Sequence, residues 1–313
     1  MTAFLISLFA VAILLVTAVP GYLLMKKRML SESCIPGFSK VLLFVCQPCL
    51  AMYSFRDVSF SWRMLANIGI FAALIILVHV LMLAGSYLIL KNKAKDPIYR
   101  IITIGTTFGN CAFFGIPIIE ALLPESASGL IVYTTVYAAV MNVLGWTVGS
   151  AIISQDIKYM SLKKIFVNPA MIGTLLALLV FILRIDFPAD VDSMIECTAR
   201  MATPLSMIVM GMRLATMKLS EVFKDYRIYL TIAVKQFVMP LVAFGIVMLL
   251  CFIDLDLRKI LFITCACPAA SIVLNFAEIV GEGQKSAANL VLVSTMCSIV
   301  TLPIVMLLFP LIV

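Results

Sequence analysis

The chain has 313 residues, 63% of them hydrophobic and 12% charged, with a mean hydropathy of +1.15 and a formal net charge of +7. That composition excludes a water-soluble globular domain and places the chain in a lipid bilayer. The basic residues fall in short stretches between apolar runs, which is a topology signal and excludes a nucleic-acid partner.

In chain order the apolar runs predict membrane spans over 4–24, 41–55, 64–90, 101–123 and 130–154, then over 169–185, 194–215, 228–253, 260–280 and 287–312. Most reach the ~20 residues that a hydrocarbon core of about 30 Å requires. The expected fold is therefore an all-α integral membrane protein of ten transmembrane helices. The first run is not a cleavable signal peptide, because its charges, Lys26, Lys27 and Arg28, follow the apolar stretch. The longest loop, 155–168, reads as an amphipathic connector, and no soluble domain separates the halves 1–154 and 155–313.

Ten crossings put both termini on one side. Connections after the odd-numbered spans hold 16 basic residues, namely Lys26, Lys27, Arg28, Lys40, Lys91, Lys93, Lys95, Arg100, Lys158, Lys163, Lys164, Arg213, Lys218, Lys224, Arg227 and Lys285. The opposite side holds 6, Arg56, Arg63, Arg184, Arg200, Arg258 and Lys259. Basic residues favour the cytoplasmic side, so both termini are expected outside a cytoplasmic (inner) cell membrane. Five spans per half is an odd number, so halves sharing one fold must be inverted repeats, the architecture of many alternating-access carriers.

Two spans are interrupted. The fourth contains GNCAFFGIPIIEALLP (109–124), with Gly109, Asn110, Gly115 and Pro117 inside an apolar run. The ninth contains CPAASIVLNFAEIVGEG (267–283), with Pro268, Ala269 and Asn275. Proline inside a helix costs roughly 3 kcal/mol or more, and backbone groups freed in hydrocarbon find no water. Such breaks are tolerated against protein or a wet cavity, and paired interrupted segments point to a transporter site. Half-helices starting after Pro117 and after Pro268 would each bring roughly half a positive charge to one spot near the midplane, enough together for about one carboxylate. Asn110 and Asn275 would add neutral donors. The plainer alternative is two kinked, packed helices. Spans two and seven carry Pro48 and Pro204.

Ionisable residues inside spans cost about 2.5–3.5 kcal/mol or more at the bilayer centre. Lys235 is the deepest cation, read as an anion ligand or internal counterion, or else as a side chain that snorkels or pins backbone carbonyls. His79 admits proton coupling, against the plainer reading of a neutral imidazole bonded to a carbonyl. Glu120 and Glu278 lie nearer the interfaces and are either coupling groups or hydrated carboxylates. The 9 cysteines, including Cys46, Cys49, Cys265 and Cys267, read as small buried hydrophobes. No motif for an enzyme, resident metal or cofactor is expected; proton or sodium coupling stays open.

The stretches GNCAFFGIPII, VNPAMIGTLLALL (from Val167), TPLSMIVMGMRLA, VKQFVMPLV and CPAASIVLNFAEIV, in this order, resemble the auxin efflux carrier family, which includes bacterial dicarboxylate permeases and the PIN-type plant carriers. The resemblance implies two inverted five-helix repeats with helices 4 and 9 crossing at Pro117 and Pro268, and substrate beside the crossing at Asn110, Gly115, Pro117, Pro268, Ala269 and Asn275. It also implies a scaffold of helices 1, 2, 6 and 7, often at a homodimer interface, against which helices 3–5 and 8–10 move. The ninth-span polar position differs from the plant carriers, so an auxin-like substrate is not implied. The expected function is a secondary transporter of a small mono- or dicarboxylate. A sodium-coupled symporter of related bile-acid-transporter-like fold, or a ligand-binding membrane sensor, is the alternative.

Overall fold

The computed structural model describes residues 2–312 except 157, 159, 161 and 218–224; Lys218 and Lys224 thus lie outside the described residues. The described chain is helical, without a named strand. In chain order its helices are α1 (Ala3–Lys26), α2 (Glu32–Phe55), α3 (Trp62–Leu90), α4 (Pro97–Gly105), α5 (Cys111–Leu122) and α6 (Ala127–Ser154). Then follow α7 (Leu162–Val167), α8 (Pro169–Leu183), α9 (Ala189–Arg200), α10 (Ala202–Thr216), α11 (Tyr226–Leu249), α12 (Leu255–Ala266), α13 (Ile272–Val280) and α14 (Gln284–Leu311). Among the described residues 6 helices, α1, α2, α3, α6, α11 and α14, are long and apolar enough to cross a membrane.

Helix starts are built from short polar side chains at the ends of the apolar runs. Ser61, Asp96, Asn168, Asp225 and Asp254 each accept a hydrogen bond from a first-turn N–H of α3, α4, α8, α11 and α12. Each satisfies a donor that the helix itself leaves free.

Pro268 lies where the chain leaves the helix, whereas Pro117, expected to mark a break, does not. Pro48, Pro117 and Pro240 each follow a π-helical turn that ends two residues earlier, Leu42–Cys46, Cys111–Gly115 and Val234–Val238. The wider turn makes room for a pyrrolidine ring that would clash with the carbonyl four residues back, so the helix continues. Span two starts at Glu32, before the predicted 41, with a 3₁₀ turn over Glu32–Cys34 and Pro36 in the first α-helical turn after it, where no N–H is needed. The chain leaves helical geometry at 106–110 and at 267–271, whereas Met201, between α9 and α10, keeps right-handed helical torsions.

Packing is set by small residues. A methyl on Gly21 would strike the backbone of Ile208, and one on Gly211 the carbonyl of Ala18, so α1 and α10 touch backbone to backbone. Gly173 of α8 similarly receives Pro48 of α2. The main core runs through α3–α6 and α11–α14, around Phe71, Phe108, Phe114, Tyr137, Phe262 and Phe276. A second, smaller core joins Leu42, Cys46 and Leu50 of α2 and Ala202 of α10 to Ile116 of α5 and Ile131 of α6. Outward-facing Phe9, Ile13, Phe44, Ile89 and Leu249 form the apolar exterior that the bilayer covers.

The Gly21–Gly211 seam makes a signed prediction. Gly211→Ala should lower the thermal midpoint of the detergent-solubilised protein, overpacking costing about 1–3 kcal/mol. Gly69→Ala in α3, where nothing lies within 4 Å, should leave it unchanged or raise it. A Gly211→Ala protein as stable as wild type would contradict the close approach.

Candidate functional site

The two breaks meet. Residues 106–110, between α4 and α5, cross residues 267–271, between α12 and α13, with Gly109 and Ala269 forming an antiparallel bridge. The Asn110 N–H donates to the Pro268 carbonyl at 2.8 Å, and the Ala270 N–H to the Phe108 carbonyl at 3.0 Å. A third bond runs from the Ala269 N–H to Ser294 Oγ of α14 at 3.1 Å. Peptide groups released from a helix at this depth must find partners inside the protein, and here each broken segment satisfies the other.

The crossing therefore lies at Gly109 and Ala269, with Pro268 beside it, as expected for the ninth span. Pro117 is not at the crossing; it sits seven residues beyond Asn110 inside α5, its ring accommodated by the π turn. Gly115 does contribute, since the Cys267 Sγ lies 3.1 Å from where its Cβ would be.

Beside the crossing is a cavity of about 80 Å³ lined by Asn110, Ser271 and Asn275 from the broken segments and α13, Ser39 from α2, Ser206 and Arg213 from α10, and Thr295 from α14. By volume it holds two or three waters or one carboxylate head, taking roughly 30 Å³ per water. Both α5 and α13 begin here, and neither start is capped by a side chain. The Asn110 and Asn275 amides have no hydrogen-bond partner among the described residues. Ser39 Oγ is buried and likewise without one. Arg213 is the cation of the lining; its guanidinium lies 3.6 Å from Glu278 of α13, an exposed residue. Glu120 is half-buried in α5, outside the lining.

Lys235 and His79 stand apart from the cavity lining. Lys235 has no solvent exposure, which removes the snorkelling reading. Its Nζ donates to the Cys265 carbonyl at 3.0 Å and lies 3.1 Å from Met239 Sδ. Cys265 belongs to the last turn of α12, where unpaired carbonyls give the helix a negative end, so the ammonium sits where that end needs a cation. Gly109 completes this pocket, because a Cβ there would be 3.0 Å from the Tyr137 hydroxyl and 3.1 Å from Lys235 Nζ. His79 is buried against Tyr137, ring centroids 5.0 Å apart, and its Nδ1–H donates to the Ile75 carbonyl at 2.8 Å. That is the plainer of the two expected readings.

Sequence reasoning overlooked Arg213, Ser271, Ser206 and Ser39. Arg213 ends an apolar run, so by sequence it reads as a topology-setting charge. Its distinguishing signal is its place inside TPLSMIVMGMRLA, two residues after the Gly211 that brings α10 against α1.

Two stretches, residues 6–156 and 154–306, each match the family model described as membrane transport protein. No curated protein matches the chain.

The crossing is tested through Ser294. Ser294→Ala leaves the buried Ala269 N–H without an acceptor, a loss of about 1–3 kcal/mol that should lower the thermal midpoint. Ser298→Ala is the control, since that hydroxyl bonds only the Thr295 carbonyl of its own helix and its loss should change little. Equal midpoints for the two variants would contradict a crossing held by Ser294.

Proposed function

The chain belongs to the membrane transport protein family, and from that premise we propose that it is a secondary transporter carrying a small organic anion, a mono- or dicarboxylate, across the membrane by alternating access. In this reading α4 with α5, α9 with α10, and α12 with α13 each make one crossing, giving ten in two inverted repeats with both termini outside. Helices α1, α2 and α8–α10 act as the scaffold and the remaining spans as the moving unit. The two matched stretches, which meet at 154–156, support a division into halves.

The observation that carries the proposal is the cavity where two uncapped helices begin. Each start lacks a side-chain cap and carries the equivalent of roughly half a positive charge, the field that receives an anion. Asn110, Asn275 and Ser271 supply neutral donors at hydrogen-bonding height, and Arg213 a charged one. Neutral donors orient a carboxylate without trapping it, as a carrier needs.

The lining also divides along the expected line of movement. Ser39, Ser206 and Arg213 come from the scaffold; Asn110, Ser271, Asn275 and Thr295 come from the moving unit. A ligand held by both sets favours the closed arrangement, and the Arg213–Glu278 pair joins the same two units. Arrival of an anion at Arg213 competes with Glu278 and loosens that link, so binding and movement share one residue. The small apolar core of Leu42, Cys46, Leu50, Ile116 and Ile131 begins at the cavity wall with Leu42 and joins scaffold to moving unit, so in this reading it separates as the two units move.

Counterflow in proteoliposomes tests the proposal. Vesicles preloaded with one unlabelled carboxylate from a panel should accumulate the labelled form, with and without sodium compared in parallel. Arg213→Gln should reduce exchange roughly ten- to hundredfold, as expected for losing a hydrogen bond to a charged group worth about 1.5–3 kcal/mol. Absence of exchange for every carboxylate, or wild-type exchange by folded Arg213→Gln, would overturn it.

A further inference from the structure

A second cavity, of about 610 Å³, is remote from the crossing and takes no part in the account above. It lies between α3, α4 and α6. Its walls are apolar, Val80 and Leu83 from α3 facing Leu144, Val148 and Ile152 from α6, while Lys91 and Arg100 stand at one end. That volume is in the range of pockets that bury a whole organic molecule, roughly 300–1,000 Å³. The crossing cavity is far smaller, so the two sites suit ligands of different size.

The polar end is built. Arg100 is only 8% exposed, an expensive position for a cation among membrane helices. It donates to the Ile153 carbonyl and pairs with Glu282, yet its Nε–H is buried without a partner among the described residues. Lys91 is exposed and begins a turn that also carries Lys93 and Lys95, so the positive potential continues outward. Asp156, the acid in the lining, already accepts the Lys158 N–H at 2.9 Å. The Gln155 amide closes over the same end by donating to the Ala94 carbonyl at 2.7 Å.

An apolar slot that opens among membrane helices and ends at buried and exposed cations fits an amphiphile with one negative head. Basic pockets between helices at the cytoplasmic interface recognise anionic lipid headgroups. We propose that this groove is a binding site for an anionic phospholipid, its acyl chain lying between α3 and α6 and its phosphate between Lys91 and the free Nε–H of Arg100. The bound lipid wedges α3 and α6 apart over the start of α4, the half-helix that leads to the crossing. Arg100 also ties α4 to Glu282, in the connection between α13 and α14, so the headgroup sits beside a contact that joins both broken spans.

Thermal unfolding of the delipidated, detergent-solubilised full chain tests the site with phosphatidylglycerol, phosphatidylcholine or inorganic phosphate added. Phosphatidylglycerol should raise the midpoint by several degrees more than phosphatidylcholine, and phosphate alone should not. Lys91→Gln, at an exposed position, should cut the difference between the two lipids by half or more. Val148→Trp, which fills the slot, should abolish it; Ala84→Leu is the second filling variant should Val148→Trp lower the lipid-free midpoint. Equal effects of the two lipids, a full shift from inorganic phosphate, or an undiminished difference in the folded filling variant would each overturn the proposal. None of these outcomes bears on carboxylate exchange at the crossing.

Discussion

Everything in this molecule depends on how two broken helices satisfy their backbones away from water. At 106–110 and 267–271 the chain gives up helical hydrogen bonds within a core where no solvent replaces them. The antiparallel exchange between Asn110 and Pro268, and between Phe108 and Ala270, restores two of those bonds, and Ser294 supplies a third partner. Proline fits at 268 because only its carbonyl is used. Glycine fits at 109 because Tyr137 and Lys235 leave no room for a side chain without moving.

Breaking a helix also exposes its charge asymmetry. The starts of α5 and α13 turn their positive ends toward the small cavity, while the end of α12 turns its carbonyls toward Lys235. The buried ammonium and the cavity are thus two halves of one electrostatic arrangement. A cation at zero exposure without an acidic neighbour in hydrogen-bonding reach would be costly in an apolar core; against carbonyls at a helix end it is partnered.

Much of this was legible in the residues. Composition and the apolar runs give the membrane class, and Asn110, Pro268 and Asn275 stood out because polar and helix-breaking residues are expensive there. Pro117 reads by sequence as a break, yet α5 runs through it. A π turn absorbs the ring at Pro48, Pro117 and Pro240, and nothing in a single proline distinguishes the two outcomes. Arg213 was missed for a related reason, since a basic residue closing an apolar run looks the same whether it faces headgroups or a cavity. Which side of a helix it occupies is decided by Gly211 and Gly21, and that depends on a partner helix far away in sequence.

The central claim is that the field of two helix starts, with Asn110 and Asn275, holds an anion. Calorimetric titration of the folded, detergent-solubilised protein with a carboxylate that it exchanges tests this most directly. Asn→Ala at either position should weaken binding roughly ten- to hundredfold, for a lost hydrogen bond to charge of about 1.5–3 kcal/mol. Asn→Asp should weaken it further, because a second negative charge would occupy the same field. Equal affinity for wild type, Asn→Ala and Asn→Asp at both positions would contradict the claim, and tighter binding by Asn→Asp would reverse the sign of the ligand.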